Sequence, residues 1–301
     1  MPSFRAAPVR VRVPATSANL GPGFDTAGLA LALYDDVVVR IADSGLTVDV
    51  AGEGADDLPR DKRHLIVKAL RTTFAALGGQ PRGLEIVCAN RIPQSRGLGS
   101  SSAAICAAVL AARALVLGGE ETLSDDDALA LATEIEGHPD NVAACLRGGL
   151  TFAWMAGATA HVARVDVHPD IAPVAFIPSS RASTKKVRGM LPETVPHAEA
   201  AANSARTALL SLAMTRDPSL LMTATEDYLH QSYRAPAMPR SAALVAQLRA
   251  DGVPAVVSGA GPTVLALATR ATVTDVATRH PRAWEVVALP VDADGAQVLP
   301  L

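Results

Sequence analysis

Ile92-Pro93-Gln94-Ser95-Arg96-Gly97-Leu98-Gly99-Ser100-Ser101-Ser102-Ala103-Ala104 lies between two apolar segments of different kinds. Upstream, residues 83–92 have strand character. Downstream, residues 100–117 are alanine-rich and apolar on almost every side, which predicts a buried helix. A strand that turns through two glycines into a helix opening on serines is suited to hold an anion. With no Cβ, Gly97 and Gly99 let backbone N–H groups approach an oxyanion closely. The first helical turn adds unpaired N–H donors and the positive end of the helix dipole. Ser100, Ser101 and Ser102 can cap the helix, bond phosphate oxygens or touch a bound metal. The loop holds no lysine, so it is not the Gly-Lys-Ser/Thr phosphate loop, and it lacks the third glycine of the dinucleotide fingerprint.

On the N-terminal side of this loop, residues 9–13 alternate and predict a strand. Residues 15–25 predict a small-residue turn around Gly21-Pro22-Gly23, and residues 28–41 a long β stretch. Residues 62–77 have helical spacing closed by Gly78-Gly79. On the C-terminal side, Ser124 is placed to cap a helix whose first turn carries Asp125, Asp126 and Asp127, where the dipole favours negative charge. Residues 148–156 and 160–167 predict a hairpin, 174–177 a strand, and 197–214 a helix, with short helices following up to 250. Strands at 255–257 and 263–268 flank the glycine turn at 258–262. A helix at 271–279 and a strand at 284–289 follow. This mixture predicts an α+β chain, and its length suits one large or two modest domains. The expected boundary divides residues 1–165 from residues 166–301.

The 301 residues are 49% hydrophobic and 19% charged, a globular composition. The formal charge is −3, the arginines are scattered, and lysine occurs only at Lys62, Lys68, Lys185 and Lys186. A nucleic-acid partner, which needs a basic face, is not expected. No apolar run is long enough to span a bilayer, and the first residues lack the apolar core of a signal peptide. Cys88, Cys106 and Cys145 stand in apolar surroundings without metal-ligand spacing, as expected of buried thiols in a reducing cytoplasm.

Four blocks carry a family resemblance. The Pro-x3-Gly-Leu-Gly-Ser-Ser-x-Ala string beginning at Pro93 resembles the ATP signature of the galactokinase, homoserine kinase, mevalonate kinase and phosphomevalonate kinase (GHMP) superfamily. Pro14-Ala15-Thr16-Ser17-Ala18-Asn19-Leu20-Gly21-Pro22-Gly23-Phe24-Asp25 is similar to the N-terminal motif of homoserine kinases. Read by itself, it is a tight turn with Asn19 and Asp25 as side-chain caps. Glu134-Ile135-Glu136-Gly137-His138-Pro139-Asp140-Asn141-Val142-Ala143 resembles the family's Glu-Gly-His-Pro-Asp-Asn block. Val257-Ser258-Gly259-Ala260-Gly261-Pro262-Thr263 resembles its C-terminal glycine motif. Two features depart from the pattern. Ser102 stands where many members have alanine, and Arg63-His64-Leu65 stands where members often carry Asn-Leu near the adenine.

The resemblance implies a two-domain GHMP kinase fold. Its N-terminal domain has a left-handed β-α-β unit around the phosphate loop, and its C-terminal domain is ferredoxin-like. It implies ATP with Mg²⁺ as cofactors and phosphorylation of the L-homoserine hydroxyl. The alternatives are another GHMP small-alcohol kinase, of mevalonate or shikimate type, or a silent metabolite sensor. ATP would be held by Pro93, Gly97, Leu98, Gly99, Ser100, Ser101, Ser102, Ala103, Gly259 and Gly261. Mg²⁺ would be held by Ser101 and Glu136, with Glu134 in reserve. Asp140 and Asn141 are the implied catalytic pair. Asn19, Asp25, His138, Thr184, Arg188 and Arg234 are the implied homoserine contacts. A homodimer is the family's common state.

Overall fold

A computed structural model describes residues 2–182 and 187–301. The first sheet begins with two long antiparallel strands, β1 (Val9–Asn19) and β2 (Gly23–Ala42). Then β3 (Gly45–Gly52), α1 (Leu65–Ala76) and β4 (Gly83–Asn90) form a β-α-β unit whose two strands pair in parallel, and β4 leads directly into the glycine-serine loop at 93–102. The residues expected to form a turn at 15–25 mostly extend β1 instead, and only 20–22 turn. The misleading feature is burial. From Val13 to Asn19 every residue is buried, so the polar alternation that marks a strand is missing.

The helix α2 (Ser100–Leu115) is buried from Ser102 to Leu115 along most of its faces, as its composition predicts, and packs on β1 and α1. A short turn, α3 (Gly119–Thr122), precedes α4 (Asp125–Glu136). Ser124 caps α4 in a reciprocal capping box with Asp127. Then come α5 (Asp140–Arg147) and the hairpin β5 (Leu150–Ala156) and β6 (Thr159–Val165), which extends the sheet from β2.

The second sheet uses β7 (Ile171–Pro178), a run of helices, β8 (Ala255–Val257), β9 (Val264–Thr269), α10 (Val273–Ala277) and β10 (Trp284–Ala288). The run of helices comprises α6 (His197–Thr215), α7 (Leu221–Ala224), α8 (Gln231–Arg234) and α9 (Pro239–Ala250). The strands are antiparallel in the spatial order β10-β7-β9-β8. Numbered along the chain this is 4-1-3-2, the ferredoxin-like arrangement. A last strand, β11 (Gln297–Leu299), returns to the first sheet and pairs with β1 through Arg10, Val11 and Arg12. Asp292 fixes that return: it accepts hydrogen bonds from the Tyr34 hydroxyl at 2.7 Å and the Gly295 N–H at 2.6 Å.

Candidate active site

The phosphate loop closes on the C-terminal glycine turn. The Ser258 hydroxyl donates to the Gly97 carbonyl at 2.6 Å, and the Thr263 N–H donates to the Arg96 carbonyl at 3.1 Å. A Cβ on Gly97, which has φ +80°, would strike the Ser258 carbonyl, so glycine is required there. Gly99 has φ +71° and is the residue before the first turn of α2. No side chain caps that turn. The serines therefore do not cap their own helix, and its first N–H groups stay open to an anion.

The serine hydroxyls point elsewhere. Those of Ser101 and Ser102 each donate to Glu136, at 2.8 Å, one to each carboxylate oxygen. This bridge ties the start of α2 to the end of α4. It gathers hard oxygen donors beside the phosphate loop, a chemistry that suits Mg²⁺, which takes one or two protein ligands and completes its shell with phosphates and water. Among the described residues, no group of three or more His, Cys, Asp and Glu side chains converges as a metal cage.

Asp140 opens α5 and is buried. Its Oδ1 accepts the Asn141 N–H at 2.7 Å and meets His138 Nδ1 at 2.8 Å. This leaves Oδ2 as the oxygen available to the cleft. The bond to Asp140 raises the His138 pKa, against the opposing effect of burial. Asn141 Oδ1 in turn accepts the Thr16 hydroxyl at 2.8 Å, which fixes the orientation of the amide.

The far end of the cleft carries the charges. Asp25 has φ +54°, a left-handed conformation uncommon for a non-glycine residue, and its N–H donates to Asn19 Oδ1 at 3.0 Å. Asn19 is buried and donates from Nδ2 to the Gly259 carbonyl at 3.0 Å. Arg188 grips Asp25 with two parallel bonds, Nη1 to Oδ2 at 2.8 Å and Nη2 to Oδ1 at 2.7 Å. Arg234 is only 3% exposed and forms no salt bridge among the described residues. Its Nη1 has two long contacts, to His230 Nδ1 at 3.4 Å and the Gly259 carbonyl at 3.5 Å, and its Nε has none. Burial, reinforced by Arg188, lowers its pKa. Both guanidinium groups lie over the ring of Phe24, at 5.1 and 5.5 Å.

One cleft is therefore lined by Asn19, Asp25, Gly97, Gly99, Ser100, Ser101, Glu136, His138, Asp140, Asn141, Arg188, Arg234 and Gly259. Leu98, Ser102 and Ala103 are buried behind the loop and shape it from within. Pro93 and Gly261 do not line the cleft, and Thr184 lies outside the described residues. The sequence reading passed over Thr16, Ser258 and His230, although the first two stand inside quoted motifs and His230 lies one helical turn before Arg234. They act through neighbours: His230 Nε2 donates to the Gly21 carbonyl at 2.8 Å, which leaves Nδ1 to face Arg234. It also passed over Asp35 and Asn90, and it noted His64 only as a departure from the family pattern; all three line the cleft beyond the glycine-serine loop. Asp35 is buried, and burial raises its pKa to about 6 although it accepts the N–H groups of Arg91 and Ile92.

Comparison with known proteins adds an independent line. Residues 64–149 match the model of the GHMP kinases N terminal domain, and residues 205–286 match that of the GHMP kinases C terminal domain. A homoserine kinase of Streptomyces avermitilis is 64% identical over 300 residues, covering 100% of this chain and 98% of its own. That of Streptomyces coelicolor is 63% identical over 300 residues, covering 100% of this chain and 97% of its own. The crystal structure of a homoserine kinase from Cytophaga hutchinsonii superposes with a TM-score of 0.84 at 24% identity, covering 99% of both chains, and bears on the fold alone.

Proposed function

We propose that this chain, which belongs to the GHMP kinases and among them to the homoserine kinases, transfers the γ-phosphoryl group of ATP to the side-chain hydroxyl of L-homoserine. The product is O-phospho-L-homoserine, a step of threonine biosynthesis. One observation carries the reading most: a single cleft joins an open helix N-terminus to a buried guanidinium, Arg234, that has no carboxylate partner among the described residues. The first holds phosphates and the second awaits the α-carboxylate of a substrate.

The backbone donors of 97–102 hold the phosphates. Ser101 and Glu136 would hold Mg²⁺, which when bound supplies charge neutralisation at phosphates that no lysine of the loop reaches. Phosphoryl transfer passes through a loose transition state, so positioning and charge stabilisation outweigh a strong base. Asp140 Oδ2 is placed to take or steer the hydroxyl proton, while Asn141, held by Thr16, orients the hydroxyl. Arg188 and Arg234 take the carboxylate, since a guanidinium fork matches its two oxygens. Asp25, with Asn19 and His138 beside it, takes the ammonium.

The division into residues 1–165 and 166–301 belongs to the same proposal, with β11 as an arm of the second part clasped to the first. So does a cytoplasmic location, supported by three free buried cysteines. No helix of the described residues is long and apolar enough to cross a membrane. The test is phosphoryl transfer from ATP to homoserine, measured beside mevalonate and shikimate. Transfer to either of the others in preference to homoserine would refute the substrate, and ATP binding without any transfer would point to a sensor.

A further inference from the structure

The Asp25–Arg188 pair has a second meaning, which rests on the homoserine reading above. The anion assigned to the substrate ammonium and a cation assigned to its carboxylate neutralise each other in the free site, through two parallel bonds of 2.8 and 2.7 Å. The pair is not hidden in the core: both side chains are partly exposed and line the cleft. Asp25 is held for this contact by its own backbone, in a left-handed conformation fixed by Asn19. Arg188 comes from the other half of the chain and rests over Phe24, beside Arg234, which has no carboxylate partner among the described residues.

We infer that the Asp25–Arg188 ion pair is a self-occupied substrate site, a lock that favours alcohols carrying both an ammonium and a carboxylate. A zwitterion opens the pair and re-forms both halves, its carboxylate on Arg188 and Arg234 and its ammonium on Asp25. A ligand with a carboxylate alone that engages Arg188 as well as Arg234 must take Arg188 from Asp25 and leave that anion unpaired next to a second negative charge. A ligand with an ammonium alone must take Asp25 and leave Arg188 beside Arg234, two cations over one aromatic ring. Each singly charged alcohol therefore pays for opening the lock without closing it again. The selectivity comes from this competition as well as from missing contacts.

The two accounts predict different results for one variant. Aminopropanol is homoserine without its carboxylate, and γ-hydroxybutyrate is homoserine without its ammonium. If Arg188 only contacts carboxylate, Arg188→Met leaves aminopropanol unaffected. If the pair is a lock, Arg188→Met frees Asp25 and improves aminopropanol, while homoserine worsens. Methionine keeps an apolar stem over Phe24. Because the pair is half exposed, the gain is expected to be modest, on the order of fivefold in kcat/KM. Asp25→Asn is the reciprocal case and is expected to improve γ-hydroxybutyrate by a similar factor. The experiment is steady-state kinetics of wild type and both variants on the three alcohols, with ATP affinity as the check on folding. The lock is supported if each variant gains on its matching analogue, keeps ATP affinity and loses on homoserine. It is overturned if homoserine falls while both analogues stay flat or fall. A wild type that does not phosphorylate homoserine at all removes the substrate reading itself, a result distinct from flat analogues.

Discussion

Arg234 and Asp140 are both buried, yet Arg234 has no carboxylate partner among the described residues while Asp140 has several hydrogen-bond partners. Arg234→Met is expected to lower kcat/KM for homoserine by about thirtyfold or more, since losing one side of a desolvated charge pair costs about 2–5 kcal/mol. The KM for ATP is expected to stay nearly unchanged, and lysine at this position is expected to restore only part of the loss, because a point charge cannot make the forked contact. Kinetics with each substrate varied separately decide this. Asp140→Asn is expected to reduce turnover by about 10²–10⁴-fold, the usual contribution of a positioned proton acceptor. A loss below tenfold would leave Asp140 as an orienting group only. Asp35 gives a pH-dependent case. Its folded pKa is raised to about 6 by burial, so the folded state holds this proton more tightly than the unfolded chain. Stability from this group is full below its ordinary value near 4 and is lost as pH rises through about 6. Asp35→Asn keeps an oxygen for the N–H groups of Arg91 and Ile92. It is expected to match wild type in denaturant midpoint near pH 4 and to exceed it at pH 7.5.

The segment running from β4 through the phosphate loop into α2 was the most legible in the sequence, because its signals are local: a strand, two glycines, then an alanine-rich helix. Gly99→Val tests it. A side chain there must adopt an unfavourable positive φ and would collide with the Thr16 hydroxyl that orients Asn141. The variant is expected to lose ATP binding by titration, and normal affinity would sink the loop's assignment. The α4 cap was legible for the same reason, as Ser124 directly precedes the helix it caps. Ser124→Ala is expected to cost about 1 kcal/mol of stability in chemical denaturation. Less legible were elements whose reason is distant. The second half of β1 is buried on both faces and reads as a small-residue turn. The three residues of β11 mean nothing until β1 lies beside them. In the site, motif residues with charges were found, whereas Thr16, Ser258 and His230 were not. Their roles are hydrogen bonds to residues more than a hundred positions away, which no local pattern announces.

At the scale of the molecule, the cleft exists because the chain's two halves interlock. The first contributes the phosphate loop, Asp25 and Asp140, and the second contributes Arg188, Arg234 and the glycine turn that closes over Gly97. The clasp of β11 holds the halves together, and Asp292 is its pin. Asp292→Ala leaves the Tyr34 hydroxyl and the Gly295 N–H without their acceptor, an expected loss of about 1–3 kcal/mol. Tyr34→Phe should cost less, and urea denaturation of the two variants compares them. The pairing of β1 with β11 also sets an order in time. As the chain leaves the ribosome, β1 emerges early, and its partner emerges only after the whole ferredoxin-like sheet has been made. Until then one edge of the first sheet stays open, with Arg10 and Arg12 at the positions that β11 will cover. The nascent chain therefore carries an open strand edge for most of its synthesis, and the Arg10 and Arg12 side chains, held by Asp36 of β2, keep that edge polar, which discourages strands of neighbouring chains from pairing there before the chain's own segment arrives.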